Sequence, residues 1–257
     1  LINANPEEIV FTSGGTESNN HAIRGIAFAG KEKGKHVITS TVEHPAVTEV
    51  CRYLNSLGYE ITYIPVDMHG KVNPHDVENA VRPDTVLITI MHANNEVGTI
   101  QPVQKIASIA RNNNIIFHTD AAQSVGKIET YVTRLEVDLL TIAGHKLYAP
   151  KVIGALYIKE GTNIENLMYG AGQEKGIRPG TENVPYIVAL GKACEIAQRD
   201  LEKNNAHMNR MRERLLSGLL QKLGSMVKLN SDLRNCLPNT LSIAFEKVDA
   251  HTLTSLI

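Results

Sequence analysis

The sequence predicts an α/β fold with a mainly parallel sheet and helices on both of its faces. Short apolar runs alternate with longer amphipathic stretches, which is the pattern of repeated strand–helix units. The runs are almost continuously apolar, as strands buried on both faces of a sheet require. The 257 residues are 42% hydrophobic and 21% charged, which is ordinary globular usage and excludes a disordered, collagen-like or coiled-coil chain.

The first half of the chain supplies most of the predicted sheet. Its apolar runs predict strands at Glu8–Ser13, His36–Thr39, Ile61–Val66, Val86–Met91 and Ile115–His118. Amphipathic stretches between them predict helices at Thr16–Ala29, Pro45–Leu57, Pro74–Val81 and Pro102–Asn112. Gly14 and Gly15 turn the first strand into the first helix, and Gly58 closes the second helix.

The second half departs from this alternation. Two further strands, Val137–Ile142 and Val152–Ile158, are close enough in sequence to pair antiparallel. After them the pattern predicts a glycine-rich loop over Gly161–Thr181. A long helical stretch over Pro185–Gly224 follows, with a break near Lys203–Asn205. Two short strands come last, Met226–Leu229 and Asn239–Phe245. We place a domain boundary at the break, with a large domain over residues 1–203 and the start of a small domain over 204–257.

Charge and cysteine usage exclude several classes of protein. Twenty-six Lys and Arg against 27 Asp and Glu give a net charge of −1, which predicts neither a nucleic-acid partner nor a membrane surface. The three cysteines are scattered without a CxxC pair, so we expect no metal site, no disulfide framework and a reducing compartment. The chain begins without Met and stops inside an apolar, helix-like pattern, so we expect a piece of a longer protein.

Five strand-to-loop junctions each carry a polar side chain: Thr16, His44, Asn95, Asp120 and Lys146. In a parallel sheet these junctions lie along one edge, where open α/β sheets bind their ligands. Glycines followed by a helix N-terminus can bind a phosphate. A phosphate site, a carboxylate and a lysine together suit pyridoxal phosphate, which needs N–H donors, a partner for its ring nitrogen and an amine for its aldehyde.

Each of these residues also has an ordinary structural interpretation. The Ser13–Thr16 turn can be a plain tight turn, and Asp120 can be a helix N-cap, with Gln123 completing a capping box. Lys146 is either a desolvated amine at a buried strand end, with a lowered pKa, or a surface loop lysine. His44 can be a loop histidine, and the Asn94–Asn95 amides can bind a ligand or merely shape a turn. The P-loop and GxGxxG patterns are absent, which disfavours a nucleotide-binding protein.

Six segments, in this order along the chain, carry a more specific signal: FTSGGTESNN, TSTVEHPAV, ANNEVGTIQPV, HTDAAQSVGK, AGHKLYAPK and GQEKGIRPGTENV. In these segments the sequence resembles the cysteine desulfurases and the closely similar selenocysteine lyases of the class-V aminotransferase group. The resemblance implies a fold-type I pyridoxal-phosphate-dependent transferase. Its large domain has a seven-stranded, mainly parallel sheet, and part of a small α+β domain follows. It also implies a homodimer.

The resemblance implies a role for each candidate site residue. Lys146 would bond covalently to pyridoxal phosphate, Asp120 would pair with the ring nitrogen, and His44 would stack on the ring and move protons. The remaining cofactor contacts would come from Gln123 and Asn95 near the ring oxygen, and from Gly15, Thr16 and His145 at the phosphate. Thr181 would reach the phosphate of the neighbouring subunit.

The implied reaction is removal of sulfur from L-cysteine. The products are L-alanine and an enzyme persulfide, which serves iron–sulfur cluster assembly or other sulfur delivery through an acceptor protein. The chain departs from the family at Ala143, where some members have a phosphate-binding Ser. None of Cys51, Cys194 and Cys236 matches the family's catalytic loop, which belongs after LPNTLSIAF. The chain by itself is therefore expected to be inactive.

The resemblance leaves other interpretations open. One alternative is a selenocysteine lyase, and another is an inactive fragment that binds the cofactor or dimerises. We expect a cytoplasmic location, with a mitochondrial one as the alternative.

Overall fold

The computed structural model describes residues 1–256, and seven of its strands form one sheet. These are β1 (Ile9–Thr12), β2 (His36–Ser40), β3 (Glu60–Ile64), β4 (Thr85–Thr89), β5 (Ile116–Asp120), β6 (Leu139–Ala143) and β7 (Gly154–Ile158). The apolar runs predict all seven, although most boundaries differ by one or two residues.

The strand order in the sheet is β1-β7-β6-β5-β4-β2-β3. β7 pairs antiparallel with both of its neighbours, β1 and β6, while every other neighbouring pair is parallel. Six strands therefore run in one direction, and their carboxyl ends share one edge of the sheet. Both the mainly parallel seven-stranded sheet and the antiparallel pairing of β6 with β7 are confirmed.

The helices are α1 (Gly15–Ala29), α2 (Pro45–Ser56), α3 (Pro74–Ala80), α4 (Val103–Asn112), α5 (Val132–Leu135), α6 (Val184–Arg199), α7 (Leu201–Leu223) and α8 (Ala250–Leu256). They cover both faces of the sheet because successive strand residues point to opposite sides. Val37 and Leu87 pack in a buried cluster with α1 and α2. Ile38 and Ile88 belong to a second cluster with α3, α4 and α6.

The helix break lies at Asp200, and its predicted position near Lys203–Asn205 is wrong. Asp200 has φ −104° and ψ 8° and separates α6 from α7. The Asn204 N–H already donates to the Asp200 carbonyl at 2.8 Å, so helical bonding has resumed there. Asp favours helix ends over helix interiors, which places the break at this residue. The short helix α5 is not predicted, since four residues show no periodicity.

The strands β8 (Val227–Leu229) and β9 (Ile243–Phe245) form a separate antiparallel pair, shorter than predicted. The chain between them is tied to the loop after β4. The Leu237 N–H donates to the Gly98 carbonyl at 2.8 Å, and the Ile100 N–H donates to the Asn235 carbonyl at 2.9 Å. Residue 203 lies within α7, and the proposed division into 1–203 and 204–257 stays a prediction.

Two kinds of feature are absent from the described residues. Over 1–256, no helix combines the length and apolar character needed to cross a bilayer. In the same part of the chain, no group of three or more His, Cys, Asp or Glu side chains is arranged to hold a metal ion.

Candidate active site

A cavity of about 260 Å³ opens at the carboxyl edge of the sheet. Its lining combines the ends of β1, β2, β4, β5 and β6, and consists of Gly15, Thr16, Asn19, His44, Ala46, Met91, Ala93, Asn95, Asp120, Ala122, Gln123, Ala143, His145 and Lys146. Every predicted site residue except Thr181 is in this lining. Thr181 lies outside the cavity, exposed in the loop before α6.

The turn between β1 and α1 forms one end of the cavity. Gly14 has φ 146°, a backbone conformation that glycine adopts without strain. A side chain on Gly154 of β7 would lie 2.7 Å from the Gly14 Cα, so the turn packs directly on that strand. The first intrahelical bond runs from the Ser18 N–H to the Gly14 carbonyl at 3.1 Å. The N–H groups of Gly15 and Thr16 precede it and are placed to bind an anion.

Asp120 is the last residue of β5 and is buried, with 6% of its surface exposed. Its Oδ2 accepts from Asn19 Nδ2 at 2.7 Å, and its Oδ1 accepts from the Ala122 N–H at 2.9 Å. Burial raises the pKa of Asp120 above the usual range for a carboxyl, although both donors oppose the shift. The chain continues as a turn and not as a helix, so the N-cap and capping-box interpretations are wrong.

Lys146 lies in a short 3₁₀ helix, Gly144–Leu147, directly after β6. Lys146 lines the cavity but is exposed, so of the two alternatives the structure matches the loop lysine and not the desolvated amine. The 3₁₀ helix sits close to β7, because a side chain on Gly144 would lie 2.6 Å from the Ile153 carbonyl oxygen. The backbone therefore fixes where the lysine starts, while the amine is left accessible from the cavity.

His44 is the N-cap of α2 and lines the cavity on the β2 side. Its Nδ1 accepts a hydrogen bond from the Ala46 N–H at 3.1 Å. This bond requires an unprotonated Nδ1, which leaves Nε2 as the ring nitrogen that carries a proton in the neutral form. Pro45 follows as the first helical residue, where its missing N–H costs no hydrogen bond.

The two asparagines after β4 have different roles, although the sequence allows either one to shape a turn or bind a ligand. Asn94 shapes the turn, since its Oδ1 accepts from the Glu96 and Val97 N–H groups at 2.8 and 2.9 Å, while its Nδ2 donates to the Val42 carbonyl at 3.0 Å. Asn95 lines the cavity, and its Nδ2 donates to Glu96 Oε1 at 2.9 Å. Of the two, Asn95 is therefore the residue placed to contact a ligand in the cavity.

Gln123 and His145 complete the predicted set. Gln123 lines the cavity, and its backbone carbonyl accepts from Lys127 Nζ at 2.9 Å. Burial, and then the nearby Lys146 charge, lowers the pKa of Lys127 to about 8. Burial and the charges of Lys146 and Lys151 lower the pKa of His145. The neighbourhood of Lys146 is thus rich in cationic or potentially cationic groups, which suits an anionic ligand.

Two functional neighbours are not singled out by the sequence, although both lie in the quoted segments. Asn19 supports Asp120, as described above. Glu43 is buried beside His44, and burial raises its pKa to about 8. It accepts from Ser40 Oγ at 2.5 Å and from the Met91 N–H at 3.0 and 3.1 Å. Glu43 thereby ties the end of β2 to the end of β4, which no local pattern reveals.

The profile of the family named Aminotransferase class-V matches residues 1–257, the whole chain. The chain belongs to this family. Its members include the cysteine desulfurases, which are pyridoxal-phosphate enzymes, so the resemblance seen in the sequence motifs is confirmed.

Similar sequences bear names that agree with this family. The chain is 48% identical over 256 residues to "Cysteine desulfurase IscS" of Methanosarcina thermophila, which covers 100% of this chain and 63% of that protein. It is 50% identical to the protein of that name from Dictyoglomus turgidum, covering 98% of this chain and 64% of the relative. The chain therefore spans less than two thirds of the length of these curated relatives.

Solved structures confirm the fold-type I architecture. A structure named "NIFS-LIKE PROTEIN" matches with a TM-score of 0.95 and 41% identity, covering 99% of this chain and 70% of the other. A structure described as "SspA in complex with cysteine" matches with a TM-score of 0.86 and 39% identity, covering 100% and 72%.

Proposed function

We propose that the protein is a pyridoxal-phosphate-dependent cysteine desulfurase that converts L-cysteine to L-alanine and passes the sulfur to a thiol. The observation that carries this proposal is the convergence of three groups on one cavity. These are the Lys146 amine, the buried Asp120 carboxyl and the glycine-rich N-terminus of α1. The names of the matched relatives, and the cysteine complex formed by the similar protein SspA, support the same reaction.

The donor set fits pyridoxal phosphate. The phosphate would be held by the Gly15 and Thr16 end of α1 together with His145, where Ala143 contributes no hydroxyl. The Asn19 Oδ1 is buried and has no hydrogen-bond partner within residues 1–256, so a polar group is accommodated beside Asp120. Once bound, this cofactor supplies an electron sink that labilises bonds around the substrate's α-carbon.

Asp120 would pair with the cofactor's ring nitrogen. The Asp120 carboxylate would hold a proton on the ring nitrogen by charge pairing, and the Asn19 and Ala122 donors favour this charged form against the burial that raises the pKa of Asp120. Asn19 fixes the orientation of this carboxyl through its 2.7 Å bond. Lys146 would hold the aldehyde end, and its exposed amine is free to reach it.

The other lining residues would position the ring and the substrate. His44 would cover one face of the ring, with its protonated Nε2 available for proton transfer. Gln123 and Asn95 would bind the ring oxygen, with Asn95 also near the substrate carboxylate. Thr181 is exposed outside its own cavity, which leaves it available to the phosphate site of a second copy in a homodimer.

The sulfur has to reach a thiol during this reaction. The C–S bond of cysteine breaks, the α-carbon skeleton leaves as alanine, and an acceptor thiol becomes a persulfide. Burial raises the pKa of Cys51 to about 12 and also raises the pKa of Cys194 and Cys236. Because the thiolate is the reactive form, we do not assign the acceptor role to any of these three. The persulfide would then be delivered to an acceptor protein.

The test is a substrate comparison on purified protein with and without added pyridoxal phosphate. Alanine and sulfide are measured from L-cysteine with a thiol reductant as final acceptor, and alanine and selenide from L-selenocysteine. We expect cofactor-dependent alanine formation with equimolar sulfide from these residues within a chain as long as the matched relatives, and none from residues 1–257 alone, which hold no cysteine that matches the family's catalytic loop. Alanine from selenocysteine alone would make the protein a selenocysteine lyase. A cofactor that binds without alanine from either substrate would reduce the function to cofactor binding.

A further inference from the structure

A partly buried ion pair links the glycine-rich turn at α1 to the loop between β7 and α6. Arg178 Nε donates to Glu17 Oε1 at 2.7 Å, and Nη2 donates to Glu17 Oε2 at 3.2 Å. The two side chains are only 21% and 11% exposed. This two-pronged geometry makes a strong charge-assisted contact, but a buried ion pair adds little net stability compared with apolar packing. Glu17 directly follows Thr16, which lines the cavity, so the ion pair can act on the ligand through the turn.

Glu17 also holds the turn itself. Its Oε2 accepts from the Ser13 N–H at 2.8 Å, four residues back along the chain. Thr12 Oγ1 accepts from the Gly14 N–H at 3.3 Å. The protein's own side chains therefore engage the two N–H groups that enter the turn. The N–H groups of Gly15 and Thr16 follow them and are the ones offered to a ligand.

The negative charge of Glu17 would repel a bound phosphate, and the positive charge of Arg178 offsets it. Burial alone would raise the pKa of Glu17, but the Arg178 guanidinium and the Ser13 donors outweigh burial and lower it. Glu17 is therefore anionic at neutral pH, and it directly follows Thr16, whose N–H is offered to the phosphate. An unpaired carboxylate there would repel a phosphate group, since charges at a few ångströms interact strongly in a partly desolvated site. The guanidinium cancels this repulsion.

The loop that carries Arg178 is anchored at a second point. Glu174 Oε2 accepts from the Phe11 N–H of β1 at 3.1 Å. The Gly180 N–H donates to Gln173 Oε1 at 3.0 Å, which closes the loop just before Thr181. Arg178 therefore connects the phosphate turn of one chain with the segment that ends at Thr181.

We infer that Arg178 is a positioning residue for cofactor binding. It acts through Glu17, shaping the Ser13–Thr16 turn and neutralising the carboxylate next to the phosphate. This inference rests on the proposed function, because it assumes that the cavity binds a phosphate-bearing cofactor. Arg178 should therefore strengthen binding of the phosphate group and have no effect on binding of the ring.

The experiment compares two ligands that differ only in the phosphate. Dissociation constants for pyridoxal phosphate and for pyridoxal are measured by absorbance titration on wild type, Arg178→Ala, Glu17→Gln and the double variant. Lys175→Ala is the matched control. Lys175 lies in the same loop as Arg178, and it forms an exposed ion pair with Glu7. We expect Arg178→Ala to weaken pyridoxal phosphate about tenfold and pyridoxal less than about twofold. The double variant should regain part of the loss, since the unpaired carboxylate is gone.

Equal losses for both ligands, or no recovery in the double variant, would overturn the inference in favour of a general structural role. Should Arg178→Ala not fold, Arg178→Lys serves as the test. It keeps the charge but loses the two-pronged contact, and it should weaken pyridoxal phosphate selectively but less. Wild-type protein that binds neither ligand would refute the proposed function itself. If the wild type binds both ligands and the ratio of their two dissociation constants is the same in every Arg178 variant, only this inference is refuted.

Discussion

Asn19 of α1 donates from Nδ2 to Oδ2 of Asp120 at 2.7 Å, joining the first helix of the chain to the end of the middle strand β5. The two residues are 101 positions apart, and both are buried. The carboxyl that the proposed chemistry needs is thus oriented by a side chain from the same helix whose N-terminus would bind the phosphate. α1 links both ends of the cofactor site.

The first prediction concerns this contact. Asn19→Ala should reduce turnover by about tenfold or more, because Asp120 loses a donor that favours its charged, correctly oriented form. The loss should depend on pH, and it should become smaller as the pH rises and Asp120 ionises without help. Asn113→Ala, an exposed asparagine at the end of α4, is the control. Equal activity of Asn19→Ala and wild type across the pH range would contradict the role given to Asn19.

A second prediction separates chemistry from cofactor retention. Asp120→Ala should lower turnover by about a hundredfold or more, while pyridoxal phosphate stays bound, because the phosphate turn and Lys146 are untouched. Cofactor content by absorbance and alanine formation are measured on the same sample. Loss of the cofactor in parallel with the activity would show that Asp120 mainly anchors the ligand, contrary to the proposal.

A third prediction follows from the buried histidines of the sheet. His118 bridges Thr89 on β4 and Thr141 on β6, at 2.8 and 3.0 Å, and burial lowers its pKa to about 3. Burial likewise lowers the pKa of His92 to about 4. In the unfolded chain both would titrate near 6.5. The unfolded state therefore binds the proton first, and stability falls as the pH drops below about 6.5.

The expected loss between pH 7 and pH 5 is about 2 kcal/mol per histidine, since each pKa unit is worth about 1.4 kcal/mol. Urea unfolding at both pH values measures it. His118→Gln should be less stable at pH 7, because the bridge is lost, but its stability should depend less on pH. His75→Gln, at an exposed histidine of α3, should keep the full dependence. An unchanged slope in His118→Gln would show that this histidine does not titrate as proposed.

A fourth prediction tests the cysteines. Cys51 is fully buried in the α1–α2 cluster and its pKa is raised to about 12, whereas Cys194 is only partly buried. Iodoacetamide at pH 8 should label Cys194 before Cys51, and Cys51 should react only when the protein unfolds. Peptide mapping by mass spectrometry follows each site. Rapid native labelling of Cys51 would reopen the assignment of the sulfur acceptor.

The sequence is sufficient for the sheet and for most of the site, because both depend on local patterns. Apolar runs place every main-sheet strand, and a parallel sheet brings His44, Asp120 and Lys146 to one edge without further information. The exposure of Lys146 could not be predicted, since it depends on how Gly144–Leu147 packs against β7. The contact of Asn19 with Asp120 requires the three-dimensional position of α1.

The helix break shows another limit of local reasoning. A run of polar residues at Lys203–Asn205 suggests an interruption, but a long exposed helix tolerates such residues, and the departure from helical geometry falls at Asp200. The sequence also does not show which of Asn94 and Asn95 shapes the turn, because that depends on contacts with a distant part of the chain. Asn94 has this role because its side chain reaches the Val42 carbonyl, in the loop that follows β2.

The most direct measurement of the central claim is the site of covalent attachment. Purified protein is loaded with pyridoxal phosphate, reduced with borohydride and digested, and the modified peptide is identified by mass spectrometry. The nearby Lys127, with its pKa lowered to about 8, is the competing amine, and the exposed Lys151 is the control lysine. We predict a stable adduct on Lys146 that disappears in Lys146→Ala and persists in Lys151→Ala. An adduct on Lys127 in the wild type, or one retained in Lys146→Ala, would contradict the account.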